Sequence, residues 1–147
     1  MRNPEVRKVQ VYLPTGYDES STKKFPVVYL LHGLPFTEES FISKESWEPW
    51  VGGTSPFKSY PDFPRESFRE WMDLLIEYGV AKPMIIVMPD ASSGYGFSFY
   101  TNSILTGNFE DYIVNDLVNF IDSNYRTIAN KDGRAVIGFS QGGYAAV

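Results

Sequence analysis

The chain has 147 residues, of which 43% are hydrophobic and 21% charged, values of a globular protein with a real core rather than a disordered tail or coiled coil. No apolar run approaches the roughly 20 residues of a membrane-spanning helix. Thirteen basic against eighteen acidic residues give a net charge of −5 without a basic stripe, so neither a nucleic-acid nor a membrane partner is expected. Ten Tyr, eleven Phe and three Trp make the chain rich in aromatics; a crowded core accounts for most of them, with a sugar- or aryl-binding cleft as the alternative. Without cysteine there is no disulfide, thiolate nucleophile or Cys-ligated metal, and one histidine, His32, is present. No cofactor or metal is expected. Met1 to Gln10 lacks an apolar core of signal-peptide length, which leaves a cytoplasmic protein and a secreted one missing its start both open.

Val6 to Leu13 alternates apolar and polar residues before Pro14-Thr15-Gly16, a strand ending in a turn. Phe25 to Leu31 holds the unbroken run Val27-Val28-Tyr29-Leu30-Leu31, expected of a strand covered on both faces. Residues 34–64, rich in Pro, Gly, Ser and aromatics, read as a long surface excursion of the sort that is often functional. A helix is predicted from about Glu66 to Tyr78, with Phe68, Met72, Leu75 and Ile76 on one face and Gly79 as its stop.

Pro83 introduces Met84-Ile85-Ile86-Val87-Met88, a second buried strand closed by Pro89-Asp90, and Ala91 to Gly107 reads as a second polar and aromatic loop. Asn108 is the predicted cap of a helix in which Phe109, Ile113, Leu117, Phe120 and Ile121 recur at helical spacing. Glu110 and Asp111 suit the dipole of its first turn. Arg134 to Phe139 forms a short strand, and Gly142 to Val147 starts another helix. Alternating strands and helices predict an α/β fold with a parallel sheet.

The chemistry gathers at Gly138-Phe139-Ser140-Gln141-Gly142, a serine with glycines two residues away on each side. This is the nucleophile-elbow pattern. A serine on a tight strand-to-helix turn needs small flanks, because side chains at 138 or 142 would strike neighbouring backbone. The turn lifts the Ser140 hydroxyl above the sheet and aims a helix N-terminus at the reacting carbonyl. An elbow serine also needs donors for the developing oxyanion. One is the N–H after the nucleophile, Gln141; the other comes from the loop after an earlier strand. His32-Gly33-Leu34-Pro35 supplies that loop, so the Leu34 N–H is the second candidate, with Gly33 letting the backbone turn inward.

His32 is a poor candidate for the general base. It precedes the serine, whereas this architecture runs nucleophile, acid, histidine, and its strand-end place commits it to the oxyanion loop. A buried histidine bonded to nearby backbone is the expected alternative, and the catalytic histidine is expected elsewhere.

Val11-Tyr12-Leu13-Pro14 with Gly16-Tyr17-Asp18, and then Pro26-Val27-Val28-Tyr29-Leu30-Leu31-His32-Gly33, resembles the putative-esterase family of α/β-hydrolases. Feruloyl and acetyl-xylan esterases, S-formylglutathione hydrolases, enterochelin esterases and mycolyltransferases belong to that family. Pro83 to Asp90, Asn124-Tyr125-Arg126-Thr127 and the elbow follow in the family's order and spacing. The pentad at the elbow is also similar to the small carboxylesterase and acyl-protein thioesterase group, which the early motifs fit less well. Gln141 departs from the family, which more often has Met there.

The resemblance implies an α/β-hydrolase sheet, mostly parallel with helices on both faces, with residues 1–147 as the N-terminal part of one catalytic domain that breaks off after the elbow. It implies a serine esterase acting through an acyl-enzyme on small or carbohydrate-linked esters of feruloyl or acetyl type. Ser140 would be the nucleophile, Leu34 and Gln141 the oxyanion donors, and the acid and histidine would lie beyond Val147. The 147 residues alone are then expected to be inactive, with the elbow strand left as an apolar edge. An acyltransferase on the same site and a non-catalytic binding module are the rival readings.

His32, Trp47, Trp50, Tyr95 and Tyr100 are candidate pocket residues, although loop packing is the plainer role for the tryptophans and for Phe57 and Tyr60 beside them. The stretch from Tyr95 to Tyr100 and Asn102 could line an acyl or leaving-group pocket. Asp90 ends a strand on the same rim, where turn formation is the favoured reading. No pattern assigns an oligomeric state.

Overall fold

A computed structural model describes residues 6–17, 22–42 and 67–147. Its centre is a four-stranded sheet of β1 (Val9–Tyr12), β2 (Val27–Leu31), β3 (Ile85–Pro89) and β6 (Arg134–Gly138), in the order β1-β3-β2-β6. β2 pairs in parallel with β3 and with β6, while β1 runs antiparallel to β3 with Val9 opposite Pro89 and Tyr12 opposite Ile86. Three parallel strands send their following loops to one rim, and that shared rim is where the serine sits.

The period-2 alternation of the strands sorts the core into two layers. Val27, Tyr29 and Leu31 of β2 and Ile85 and Val87 of β3 face one side. Phe109, Ile113, Leu117 and Ile121 cover them from α2, the helical run 109–124. Leu30, Ile86, Met88 and Tyr12 face the other side, under Met72 of α1 (Phe68–Glu77), with Phe68, Leu75 and Ile76 packed alongside. Both buried strands are therefore covered on two faces, as their unbroken apolar runs required. Each fully buried Ile or Val contributes about 1.5–3 kcal/mol of this stability.

α1 begins with a reciprocal cap. Ser67 Oγ accepts the Glu70 N–H, and Glu70 Oε2 accepts the Ser67 N–H at 2.7 Å. Gly79, at φ +69°, ends it with a left-handed residue that carries no Cβ penalty. Tyr12 and Thr15 both donate to Asp73 Oδ1, at 2.7 and 2.9 Å, and so tie α1 to the end of β1.

Three details differ from the sequence reading. Asn108 stands at the N-cap position but makes no side-chain cap bond; Asn102 Oδ1 accepts the Asp111 N–H instead, from across a small hairpin of β4 (Asn102–Ser103) and β5 (Gly107–Asn108). That hairpin occupies part of the stretch expected to be plain loop. Within α2, Phe109–Asp111 and Val118–Asn124 are α-helical but Tyr112–Leu117 is a π-helical segment. Its wider turns let Phe109, Ile113, Leu117 and Ile121, each four apart, stay in one buried row. Phe120 falls about 100° off that row and is 48% exposed rather than core.

β6 is the edge of the sheet among the described residues. Val136 and Ile137 are 44% and 50% exposed, the exposed apolar edge anticipated for the elbow strand.

Candidate active site

β6 runs into Phe139 and Ser140, and α3 (Gln141–Ala145) starts directly after. Ser140 adopts φ 54°, ψ −119°, a region nearly reserved for glycine. The glycine requirement on either side is severe. A Cβ at 138 would fall 2.1 Å from the Gly142 carbonyl oxygen, and one at 142 would fall 2.2 Å from that of Leu31. Strand and helix thus meet backbone against backbone, and the Phe139 N–H donates to Leu31 O at 3.1 Å to fix the end of β6 against β2.

Beyond Leu31 comes His32-Gly33-Leu34. A Cβ on Gly33 would lie 2.7 Å from Ser140 Cβ, so this loop is pressed against the elbow and only glycine fits. The Phe36 N–H closes a turn onto Gly33 O at 2.9 Å, and Phe36 packs edge-on to Phe139. Among the described residues the N–H groups of Leu34 and Gln141 make no hydrogen bond, which leaves two donors beside the serine.

His32 is 1% exposed, and both its ring nitrogens are engaged. Nε2 accepts the Ala91 N–H at 3.0 Å, which makes Nδ1 the protonated nitrogen; it donates to Gly33 O at 3.0 Å. The imidazole is therefore bonded to nearby backbone and has no lone pair to offer Ser140. Asp90 Oδ1, 3.9 Å from His32 Nε2, accepts from the N–H and Oγ of Ser92 and shapes the turn after β3.

A cavity of about 540 Å³ opens beside the serine, lined by Phe99, Thr101, Ser140, Gln141 and Tyr144. Phe99 stands edge-on to Tyr144 at 6.1 Å and to Phe97 at 5.5 Å, giving the wall an aromatic character. Of the pocket residues expected from sequence, His32 and Tyr100 lie beneath this wall rather than on it, because both are buried and bonded to backbone. Tyr95 is exposed and does not line the cavity. Trp47 and Trp50 lie outside the described residues, as do Phe57 and Tyr60. Sequence reasoning missed Thr101 and Tyr144; Tyr144 carried a signal, since four residues after Ser140 on a helix is one turn above it.

A serine held at positive φ between a parallel strand and a helix, on the rim where the sheet's loops gather, defines the class: this is an α/β-hydrolase fold. Residues 3–147 match the family described as "Putative esterase", and the chain belongs to that family. It is similar to Esterase Rv1288 of Mycobacterium tuberculosis, 35% identical over 140 residues, which are 95% of this chain and 25% of that protein. It is also similar to an endo-1,4-beta-xylanase/feruloyl esterase of Xylanibacter ruminicola, 31% identical, covering 95% of this chain and 17% of that protein. Among solved structures it resembles a ferulic acid esterase with a TM-score of 0.65 at 26% identity, covering 95% of this chain and 45% of that one. The chain thus spans a quarter or less of the length of these curated relatives.

Proposed function

We propose that the protein carrying this chain is a serine ester hydrolase working through an acyl-enzyme, and that residues 1–147 are the N-terminal part of its catalytic domain. The observation that carries this reading is Ser140 in its glycine-like conformation, on the wall of a cavity, with the Gly33 loop against it. Ser140 Oγ attacks the ester carbonyl and loses its proton to a histidine oriented by a carboxylate. His32 is occupied at both nitrogens, so that base comes from chain outside these 147 residues, and the 147 residues alone are inactive. The carbonyl π electrons move onto oxygen, where the Leu34 and Gln141 N–H groups hold the charge. Collapse of the tetrahedral intermediate breaks the ester C–O bond, the alcohol leaves with the proton, and water then releases the acid.

The edge-on pair of Phe99 and Tyr144 on the cavity wall, with Phe97 packed behind Phe99, supports a planar aryl acyl group there, as in a feruloyl ester carried by a carbohydrate. The feruloyl and ferulic acid esterases among its relatives support the same substrate class. In the intact protein, a fluorophosphonate probe is expected to label Ser140, and methyl ferulate is expected to yield free ferulate. Labelling or turnover that survives Ser140→Ala would overturn the assignment. Transfer of the acyl group to an added alcohol in preference to water would make the protein an acyltransferase, and no reaction at all a binding module.

A further inference from the structure

We propose that the loop after β3, residues 90–101, is a brace that sets the spacing of the two oxyanion donors, with Tyr100 and the Gln141 carboxamide as its two positioning groups. The proposal rests on the serine hydrolase reading above. Tyr100 OH donates to His32 O at 3.0 Å, at the peptide from which the Gly33–Leu34 turn departs. On the other side, Gln141 Oε1 accepts the Phe99 N–H at 3.2 Å, which ties the first residue of α3 to the same loop. One segment therefore holds, from adjacent residues, the peptide that precedes the Leu34 donor and the side chain of the residue that carries the other donor.

The grip is built to be stiff. Ser98 Oγ donates to Ala91 O at 2.6 Å and accepts the Tyr100 N–H at 3.1 Å, and the Ala91 N–H returns to His32 Nε2. Ala91, Ser98, Tyr100, His32 and Gln141 are all buried, so these bonds face little competition from water. Burial raises the Tyr100 hydroxyl above its ordinary pKa and keeps it a neutral donor. Phe99 and Tyr100 both sit at positive φ, 52° and 56°. Two consecutive aromatic residues in that region are strained, and such strain persists only where surrounding bonds over-determine it. Here those bonds are the ones to His32, Ser98 and Gln141. Spacing matters because an oxyanion donor works only when aimed where charge develops, so a shift of the frame costs turnover rather than substrate binding.

The test uses the intact protein. Tyr100→Phe keeps the ring against His32, 5.8 Å between centroids, and removes only the hydroxyl. Its kcat on methyl ferulate is expected to fall about tenfold, the effect of one lost buried hydrogen bond, with KM within twofold and fluorophosphonate labelling of Ser140 slowed in parallel. Combined with Gln141→Met, the double variant is expected to lose less than the product of the single losses, because both release the same loop. Ser98→Ala should show the same kcat-selective loss and carries the test where Tyr100→Phe does not fold. Unchanged kcat, a rise confined to KM, or strictly multiplicative losses would overturn the brace while Ser140 labelling persists. Absence of labelling in the unsubstituted protein would instead sink the hydrolase reading, and the brace with it.

Discussion

β3 and β6 are both five-residue strands paired in parallel with β2, yet they live in different surroundings. β3 lies between β1 and β2 with α1 and α2 over its two faces, and every residue in it is buried. β6 has one neighbour among the described residues, and four of its five residues are exposed. Their ends differ in the opposite sense. After β3 the chain is laced by side-chain bonds through Asp90, Ser92 and Ser98. After β6 it is held by backbone contact through glycines, and Ser140, the proposed nucleophile, stands there. A strand's own residues specify that it is a strand; what covers it decides how much stability it carries. The proposed chemistry lies at the end of the strand that carries less.

Substitutions that separate the two strands test this contrast. The largest effect is expected at the end of β6, where Ser140→Ala in the intact protein should lower kcat/KM by about 10⁴-fold or more and leave the melting temperature essentially unchanged. A large loss of stability there would show that the elbow is structural. Gly33→Val comes next, since a side chain at 33 meets Ser140 and Phe139. Turnover should fall by about 10²–10³-fold with KM little altered, as for a displaced oxyanion donor. A raised KM with unchanged kcat would contradict the role given to that loop. At the first residue of β3, Ile85→Ala opens a cavity under a side chain with no exposure and should cost about 2–5 kcal/mol in denaturant unfolding. Ile137→Ala in β6 should cost less than about 1 kcal/mol in the 147-residue chain, since half of that side chain is already in water. Measuring the same substitution in the intact protein sharpens the contrast: a cost like that at Ile85 would mean that β6 is covered there.

What could be read from the residues was what local chemistry dictates. The runs at 27–31 and 85–88 had to be strands buried on both faces, and Gly138 and Gly142 had to flank a turn that admits no Cβ. Phe68, Met72, Leu75 and Ile76 marked the face of α1 through simple periodicity. The failures are long-range or non-periodic. Asn102 replaces Asn108 as acceptor because a hairpin folds it back onto the helix start. The π segment in α2 has no local signature, so Phe120 was misplaced. The cavity wall draws Phe99 and Thr101 from one loop and Tyr144 from a helix, a meeting no spacing rule reports. For His32 the sequence placed the group beside backbone correctly but not its partners, since Ala91 lies 59 residues away.

The backbone angles of Ser140 also bear on how such a protein would decay. Glycine is the residue for which φ 54°, ψ −119° carries no steric penalty, so Ser140→Gly relieves strain at the very position where it abolishes the hydroxyl. Under the mechanism proposed above, the most comfortable version of this turn is an inactive one. On that mechanism, selection for activity holds a serine in place against the backbone strain it carries there. A descendant released from that selection would drift toward glycine at 140 sooner than toward alanine or threonine, whose side chains keep the cost without the chemistry.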